Sequence, residues 1–326
     1  MNKVLVILGP TATGKTDVGL KLAQKLNGEL ISCDSRQVYN GLDIGTGKEA
    51  SDKSQESSIK KDKCFWEIDG VKIWMYDVCD PKKQFTVKDY VIHAEKIIED
   101  IIERGKLPII VGGTGFYLKA LLEGIPNLEI PVNKKLRGEL EKFSLEDLQE
   151  KLKKLSLEKW EQLNNSDKNN KRRLLRSIEL LFMNPYINNN QVKITNNQKY
   201  DALKIGLTAP REVLNKRIDL RVISRIDQGM IEEAKNLHQN GLSFARMKEL
   251  GLEYGMLAKL LKDEISENQL VNELSIKIHQ YAKRQMTWFK FQKNITWFDI
   301  TAKNWEQKMD KLVLKWYYKS NDNPQS

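Results

Sequence analysis

Residues 4–16 read VLVILGPTATGKT, an apolar run that leads directly into a glycine-containing loop. The loop, Gly9–Thr16, matches the phosphate-binding pattern G-x-x-x-x-G-K-[ST] at every fixed position. The apolar run predicts a buried strand, and the residues from Lys15 to about Leu26 predict a helix, which is the context that the pattern requires. This stretch therefore predicts an α/β fold with a phosphate site at its first strand-to-helix junction.

The same loop predicts how a phosphate is held. Backbone N–H groups from Ala12 to Thr16 should point at phosphate oxygens at the N-terminus of the helix. Lys15 should neutralise charge on those oxygens, and the hydroxyl of Thr16 should bind Mg²⁺. An ordinary strand-to-helix turn would not need the complete pattern, so we favour the phosphate site.

Strand and helix patterns alternate over much of the remaining chain. The segments 29–33 (ELISC), 107–113 (LPIIVGG) and 202–208 (ALKIGLT) predict further buried strands. The stretch CFWEIDGVKIWMYD predicts a hairpin that turns at Asp69-Gly70, and the polar segment 50–62 predicts a loop. Because helical patterns follow the buried strands, we expect a parallel sheet.

A charged and helical stretch interrupts this alternation. Its clearest piece is 145–160 (LEDLQEKLKKLSLEKW), and it closes with an Asn-rich linker. We therefore predict an α/β core formed by residues 1–124 and 200–326, with a helical insertion at residues 125–199.

The excess of positive over negative charge lies beyond the first third of the chain. The 326 residues carry a formal net charge of +10. Residues 1–130 have 18 Lys and Arg against 19 Asp and Glu, whereas residues 131–326 have 36 against 25. Such a field attracts polyanions, which makes nucleic acid a candidate partner, although a solvated basic surface has the same composition.

The cysteine content and the hydropathy indicate where the protein works. Cys33, Cys64 and Cys79 form no C-x-x-C pair, and three scattered histidines do not suggest a zinc site. No segment is apolar and long enough to span a bilayer, and the first apolar run is too short for a convincing signal peptide. We expect a cytoplasmic monomer with no membrane partner.

Polar and small residues follow the second and third predicted strands. Asp34 and Ser35 follow the second strand, and Gly112, Gly113 and Thr114 end the third. Ligands of open α/β sheets bind beyond the carboxyl ends of the strands, so Asp34 is a candidate general base or magnesium-linked carboxylate. A turn residue that binds its own backbone is the alternative for Asp34, and close packing is the alternative for the glycines. The nearby GLDIGTGK lacks the spacing of a second phosphate loop and predicts a glycine-permitted turn.

Basic side chains recur in patterns that suit anions. Arg217, Arg221 and Arg225 recur at i, i+4 and i+8 and so lie on one helical face, which suits an anion. The alternative is a solvated stripe with Asp219 and Asp227 as partners. KNNKRRLLRSIE, which begins at Lys168, concentrates basic residues within the insertion. YAKRQMTWFKFQK, which begins at Tyr281, places basic residues among aromatics, as RNA-binding surfaces do, although these aromatics could instead belong to the core.

The residues alone therefore indicate a Mg²⁺-dependent, phosphate-handling α/β enzyme with a basic helical insertion. They do not distinguish a kinase from a transferase that releases pyrophosphate. The arginine stripe suits either reaction.

Five segments, in order, resemble those of the tRNA dimethylallyltransferases, also called tRNA isopentenyltransferases. They are GPTATGKT, DSRQVYNGLDIGTGK, VGGTGFYLKALLEG, RRLLRSIE and AKRQMTWF, and the resemblance extends from Val4 to about Phe298. It implies a P-loop kinase-like fold whose loop holds the pyrophosphate of dimethylallyl diphosphate, so that the phosphates are the leaving group. The five-carbon group would go to N6 of an adenine beside the anticodon of a tRNA.

The resemblance also implies roles for individual residues. Asp34 would act as general base towards the N6 amine, while Lys15 and the loop stabilise the pyrophosphate with Mg²⁺ on Thr16. The implied diphosphate-binding residues are Gly9, Pro10, Thr11, Ala12, Thr13, Gly14, Lys15, Thr16 and Arg221. The implied tRNA-binding residues are Asp34, Ser35, Arg36, Gln37, Thr114, Arg137, Arg172, Arg173, Arg176 and Arg284.

The chain departs from the family pattern in two places. Ile73 and Trp74 stand where the family usually has two histidines, and LGLEYGM, with Glu253 and Gly255, replaces an arginine-containing VGYRQ. These departures bear on contacts to the anticodon stem rather than on the chemistry. Adenylate isopentenyltransferase, which modifies free nucleotides, is the alternative within the fold, and the basic insertion disfavours it. A small-molecule kinase and a non-catalytic RNA-binding module are the alternatives from other classes.

Overall fold

A computed structural model describes residues 1–48, 59–62, 65–183 and 199–319 of the chain. The predicted Asn-rich linker and most of the predicted polar loop lie outside these residues. The chain divides into two compact units, one made of Met1–Leu122 with Gln198–Ser326 and the other of Glu123–Asn197.

The first unit contains one sheet. Its strands are β1 (Asn2–Leu8), β2 (Gly28–Cys33), β3 (Ile59–Lys61), β4 (Phe65–Ile68), β5 (Val71–Trp74), β6 (Leu107–Gly112), β7 (Tyr200–Thr208) and β8 (Ile295–Asp299). They lie in the order β3-β4-β5-β2-β6-β1-β7-β8. All neighbours from β5 to β8 in this order pair in parallel, and β3, β4 and β5 pair antiparallel. The predicted α/β class is therefore confirmed, with an antiparallel hairpin at one edge of a parallel sheet.

Helices account for most of the remaining described chain. They are α1 (Lys15–Leu26), α2 (Val87–Glu103), α3 (Gly115–Glu123), α4 (Lys134–Leu140), α5 (Leu145–Leu155), α6 (Leu157–Gln162), α7 (Asn165–Lys168), α8 (Lys171–Met183), α9 (Arg211–Asp227), α10 (Met230–Gln239), α11 (Phe244–Glu249), α12 (Leu252–Leu260), α13 (Glu267–Lys290) and α14 (Trp305–Tyr318). None of these helices combines the length and the apolar composition that a bilayer crossing requires.

The central strands are buried on both faces, as their apolar runs predict. Every residue of β2 and β6 is buried, and so are the last five of β1. Leu5 and Ile7 of β1 share a core with Leu22 of α1 and Val313 of α14. Since strands buried on both faces cannot alternate polar and apolar residues, this burial explains the continuous apolar runs.

The edge hairpin turns where the sequence predicts. Asp69 and Gly70 both have left-handed backbones, with φ of 52° and 78°, which suits the twist of a two-residue hairpin. The prediction of a loop was wrong at Ile59–Lys61, which forms β3 and pairs with β4. All three residues of β3 are exposed. Backbone pairing with β4, rather than burial of apolar side chains, therefore stabilises this strand.

An ion-pair cluster secures the amino-terminal edge of the sheet. The carboxylate of Glu29, which is 1% exposed, accepts hydrogen bonds from Arg104 at 2.6 Å and from Lys106 and Trp74 at 2.8 Å each. Burial by itself raises the pKa of Glu29, but these hydrogen bonds lower it to about 2. Trp74, one of the two departures from the family pattern in β5, thus serves the packing of this edge. Its neighbour Ile73 is buried in the core.

The second unit is a small helical bundle made of α4 to α8. Its core contains Leu148 and Leu152 of α5 with Leu174 and Ile178 of α8. The predicted helical stretch 145–160 is broken in the structure, because Ser156 has an extended backbone and its side chain caps α6 by accepting from the N–H of Lys159. Apolar periodicity does not reveal such a cap, although serine is among the residues preferred at an N-cap.

Candidate active site

Loops that follow β1, β2 and β6 line one cavity of about 720 Å³, together with residues of α9, α12 and α13. Because the strands are parallel, their carboxyl ends meet at one edge of the sheet, where ligands of such folds bind. The lining includes the following residues that the sequence singled out: Thr11, Ala12, Gly14, Lys15, Thr16, Asp34, Arg36, Gln37, Gly112, Gly113, Arg217, Arg221 and Arg225. Three separate sequence signals, the loop, the polar turn after β2 and the arginine stripe, thus converge on one cavity.

The loop after β1 has backbone conformations that few types of residue adopt. Gly9 has φ of 146°, and a Cβ at this position would overlap the carbonyl oxygen of Leu207 in β7. Gly14, with φ of 75°, starts α1 in a left-handed conformation. Ala12 also has a left-handed backbone, with φ of 65°. A non-glycine residue in that region costs on the order of 1–3 kcal/mol and persists where the surroundings enforce it, often at ligand-binding loops.

Lys15 is half-buried and bonds to its own loop. Its Nζ donates to the carbonyl oxygen of Pro10 at 2.7 Å, and the hydroxyl of Thr13 donates to the same oxygen at 2.9 Å. Burial and the nearby charge of Arg221 lower the pKa of Lys15 to about 7, while Asp34 opposes the change. An anion in the cavity would therefore stabilise the charged form of Lys15.

The arginine stripe of α9 faces the phosphate loop, as the helical spacing predicts. Arg217 lies 3.4 Å from the carbonyl oxygen of Ala12, and Arg221 lies 3.5 Å from the hydroxyl of Thr11. Arg225, 9% exposed, donates to the carbonyl oxygen of Gly45 at 3.0 Å. The alternative of a fully solvated stripe is thus wrong for Arg225.

Two of these guanidinium groups lie side by side. A Cβ on Gly47, whose φ is 68°, would overlap the Nη2 atoms of both Arg221 and Arg225. The charge of Arg225, together with burial, lowers the pKa of Arg221 to about 9. Like charges at this separation repel, so the pair favours a ligand with more than one negative charge.

Asp34 forms a local turn and also lines the cavity. Its Oδ1 accepts from the N–H of Arg36 at 2.8 Å, which is the turn that the plainer alternative predicted. The residue nevertheless lines the cavity, and its charge acts on the pKa of Lys15 and of Arg221. The turn therefore orients a carboxylate towards the phosphate loop.

The other residues of the turn after β2 are tied to neighbouring loops. The side chain of Gln37 accepts from Ser32 at 2.7 Å and donates to the carbonyl oxygens of Thr46 and Gly47, both at 3.4 Å. The N–H of Ser35 donates to the hydroxyl of Thr114 at 3.1 Å. The predicted tRNA-binding residues of this region thus also hold the loops in place.

The glycines after β6 serve close packing. A Cβ on Gly112 would overlap the carbonyl oxygen of Cys33, and one on Gly115 would overlap the ring of Trp288. A Cβ on Gly113 would overlap the amide of Gln285. The packing alternative for VGGTG is therefore confirmed for these glycines.

The sequence reasoning missed Gln285. Its side chain accepts from the N–H of Thr11 at 2.9 Å and donates to the carbonyl oxygen of Gly113 at 3.0 Å. It lies in AKRQMTWF, a segment whose charges and aromatic rings predict an RNA-binding surface. The signal that could have found it is a glutamine on the buried face of an amphipathic helix, because a buried amide needs partners.

GLDIGTGK forms the glycine-permitted turn that its spacing predicts. Gly41 and Gly47 have φ of 73° and 68°. Lys48 is fully buried and donates to the carbonyl oxygen of Tyr39 at 2.7 Å and to Asp43 at 2.8 Å, and it also pairs with Asp77. Since Lys48 is engaged by two carboxylates, the turn is not a second phosphate loop.

The second departure from the family pattern lies in the cavity wall. Glu253 of α12 lines the cavity, and its Oε1 lies 3.9 Å from Nη1 of Arg225. Burial raises the pKa of Glu253, and the charge of Arg225 opposes the rise. A carboxylate at the place of the family's arginine lowers the positive charge of this wall.

The basic and aromatic side chains of α13 differ in exposure. Phe289 is 1% exposed and packs against the rings of Trp288 and Trp297, so the core alternative is confirmed for it. Lys283 and Arg284 are exposed, and Arg284 lies 5.9 Å from the ring centroid of Tyr281.

The predicted tRNA-binding arginines of the insertion differ in their surroundings. Arg137 and Arg176 both pair with Glu179, which is 1% exposed, at 2.8 and 2.7 Å. Arg176 also donates to backbone carbonyls, among them that of Ile130 at 2.7 Å. Arg173 pairs with Asp167, whereas Arg172 is exposed. No sequence pattern predicted that Arg137 and Arg176 hold a buried carboxylate.

The described residues offer few ligands for a metal ion. No group of three or more His, Cys, Asp or Glu in the described ranges could hold one. Thr16 lines the cavity. Mg²⁺ is commonly held by one or two protein oxygens with phosphate oxygens and water, so this site fits an ion that arrives with a diphosphate.

Comparison with known proteins adds independent findings. The family described as IPP transferase matches residues 37–292, and the family described as isopentenyl transferase matches residues 2–59. A tRNA dimethylallyltransferase from Bacillus mycoides is 37% identical over 304 residues, which are 92% of this chain and 90% of that protein.

Solved structures agree with this match. The full-length tRNA isopentenylpyrophosphate transferase from Bacillus halodurans superposes with a TM-score of 0.68 at 32% identity and covers 98% of this chain and 99% of that one. A eukaryotic dimethylallyltransferase, described as acting on tRNA, shares the fold with a TM-score of 0.76 at 23% identity, over 100% of this chain and 81% of that one. Family match and sequence identity over nearly the whole length show that the chain belongs to the tRNA dimethylallyltransferase family.

Proposed function

We propose that the protein transfers the dimethylallyl group of dimethylallyl diphosphate to N6 of an adenine beside the anticodon of a tRNA. One observation carries the proposal: the phosphate loop, the arginines of α9 and the carboxylate of Asp34 line the same cavity. Family membership supports both the donor and the acceptor. On this proposal the core is of the P-loop kinase-like type, with the phosphate loop after β1.

The reaction follows from the charges of the cavity. The N6 nitrogen attacks C1 of the prenyl group, the C1–O bond breaks, and its electron pair leaves with the diphosphate. Asp34 takes a proton from N6, which keeps the product amine neutral. Lys15 and Arg221 stabilise the charge that develops on the leaving oxygen, an interaction that strengthens towards the transition state.

The loop would bind the diphosphate through its backbone N–H groups and Lys15. The N–H groups from Ala12 to Thr16 lie at the N-terminus of α1, where anions bind well. Burial, which lowers the pKa of Lys15 to about 7, makes the ammonium a strong partner for phosphate once it is protonated. Mg²⁺, when bound, offsets charge on the diphosphate, and Thr16 is the residue that would hold it.

We propose that basic side chains of two helices bind the tRNA. They are Arg172 and Arg173 of α8 and Arg284 of α13. These side chains are exposed. Ser35, Arg36, Gln37 and Thr114 would meet the target adenine near Asp34, and a base must leave its stack to reach them. Arg137 and Arg176 contribute to RNA binding mainly by holding the insertion together. The cytoplasmic location and the monomeric state stay predictions.

One incubation tests the reaction. Labelled dimethylallyl diphosphate is supplied with unmodified tRNA, with AMP, or without an acceptor, and a parallel sample receives labelled ATP. Label in tRNA alone is expected. Label in AMP would indicate a free-nucleotide enzyme, phosphate transfer from ATP would indicate a kinase, and no transfer with RNA binding would indicate a non-catalytic module.

The magnesium assignment has its own test. Thr16→Ala should raise the Mg²⁺ concentration needed for half-maximal transfer, because one ligand of the ion is lost. Thr13→Ala is a matched control, since that hydroxyl binds Pro10 and not the cavity. An unchanged Mg²⁺ dependence in Thr16→Ala would contradict the assignment.

A further inference from the structure

The amide of Gln285 joins two loops of the cavity. The side chain is 6% exposed, and its Oε1 accepts from the N–H of Thr11 while its Nε2 donates to the carbonyl oxygen of Gly113. The two distances are 2.9 and 3.0 Å. Gly113 leaves space for this approach, since a Cβ there would overlap Nε2. Both ends of the amide are thus engaged, and its orientation is defined.

These contacts continue to the reacting groups. Thr11 also faces Arg221 through its hydroxyl, at 3.5 Å. On the other side Thr114, the neighbour of Gly113, accepts from the N–H of Ser35, the neighbour of Asp34. One side chain of α13 therefore fixes the phosphate loop relative to the loop that carries the carboxylate.

The same helix carries exposed positive charge. Lys283 and Arg284 directly precede Gln285 and point to solvent. α13 is a helix of 24 residues, and Trp288, one turn further on, packs against Gly115 at the start of α3. A polyanion on the outer face and a phosphate ligand on the inner face would act on the same rigid element.

We propose that Gln285 is a positioning residue that couples the two substrates, on the basis of the function proposed above. RNA bound to Lys283 and Arg284 holds α13 in the position where Gln285 orients the phosphate loop. Diphosphate bound in that loop, in turn, holds α13 in the position that RNA needs. Such coupling is reciprocal, so each ligand should raise the affinity of the protein for the other by the same factor, about five-fold or more.

The test measures the affinity of inorganic pyrophosphate, with Mg²⁺, by titration calorimetry in the absence and presence of a saturating RNA stem-loop. Wild type should bind pyrophosphate about five-fold or more tightly when RNA is present. Gln285→Met keeps the length of the side chain but removes both hydrogen bonds. The ratio of its pyrophosphate affinities with and without RNA should therefore fall to about one. Gln280→Met is the matched control, because Gln280 is an exposed glutamine of the same helix, and its ratio should equal that of wild type.

A purely structural role predicts another result. In Gln285→Met it would lower the melting temperature and weaken the binding of both ligands. The ratio of the pyrophosphate affinities with and without RNA would stay that of wild type. Such a preserved ratio would overturn the proposal. Gln285→Asn, too short to reach both partners, provides a second variant with the same expectation as Gln285→Met.

The measurement on the wild-type protein alone tests whether the two ligands are coupled. Equal pyrophosphate affinity with and without RNA would overturn the coupling. Prenyl transfer is assayed in parallel, so transfer without coupling overturns this inference alone. Coupling without transfer would instead overturn the proposed reaction and leave the coupling standing.

Discussion

At the scale of single residues, the carboxylate of Asp34 is the group on which the proposed chemistry depends. Asp34→Asn keeps the oxygen that accepts from the N–H of Arg36, so the turn should survive. The variant cannot take up a proton, and prenyl transfer should fall by about 10²–10⁴-fold at saturating substrates. The rate is measured in single turnovers with tRNA.

RNA affinity serves as the control for this variant and should stay close to wild type. A rate loss smaller than about tenfold would contradict the base assignment, because general bases contribute more than that.

Lys15 should make diphosphate binding depend on pH. In the free protein its pKa is lowered to about 7, so at pH 8 the amine is largely neutral. A bound diphosphate favours the ammonium form, and the complex therefore holds more protons than the free protein. Affinity should fall as pH rises above about 7, and binding at pH 8 should take up protons.

Calorimetry in two buffers with different ionisation enthalpies measures this uptake. Lys15→Met should bind pyrophosphate more weakly and should lose much of the proton uptake. Equal uptake in the variant and in wild type would assign the proton to another group, and Arg221, whose pKa is lowered to about 9, would be the next candidate.

At the scale of elements, the proposed RNA binding and the packing of the insertion involve different arginines of α8. Arg172 is exposed, whereas Arg176 pairs with the buried Glu179 at 2.7 Å. Arg172→Ala should weaken RNA binding and lower the log–log salt slope by about 0.7–0.9, the share of one phosphate contact. Its stability in urea should be unchanged.

Arg176→Ala should behave differently. Glu179 keeps Arg137 but loses one partner, and removing a partner from a buried carboxylate should destabilise the insertion by about 2–4 kcal/mol. Urea unfolding followed in both variants makes the comparison. Equal stability of Arg176→Ala and wild type would mean that Arg137 and the N–H of Asn133 together satisfy Glu179. Parallel salt curves for Arg172→Ala and wild type would mean that Arg172 is a solvated side chain.

At the scale of the whole molecule, the division into two units should be visible in ligand protection. Every residue that lines the cavity belongs to the unit made of Met1–Leu122 and Gln198–Ser326. Pyrophosphate with Mg²⁺ at a hundredfold excess over its Kd should stabilise that unit by about 2.7 kcal/mol.

Hydrogen exchange checks this prediction. Slowed exchange is expected in peptides from residues 1–48 and 199–319, and unchanged exchange in peptides from residues 123–183. An RNA stem-loop, as a control, should slow exchange in α8. Equal protection of both units by pyrophosphate would show that they unfold as one cooperative body.

The sequence predicted the elements whose signals are local. The strand–loop–helix unit around Lys15 follows from apolar periodicity and glycine placement, and the hairpin turn at Asp69-Gly70 follows from backbone preference. The three arginines of α9 share a face because 3.6 residues make one turn, whatever the helix packs against. Composition and charge pointed to a polyanion, and the family resemblance pointed to the reaction.

The tertiary structure decided which partner each polar group has. Strand β3 is exposed and has no apolar signal, so only its pairing with β4 defines it. Gln285 reaches Thr11 across 274 residues of chain, and Arg176 is drawn into the insertion by Glu179. A sequence lists side chains in order along the chain, but hydrogen bonds and ion pairs form only over a few ångströms, and the residues that meet at that distance are set by the packed fold.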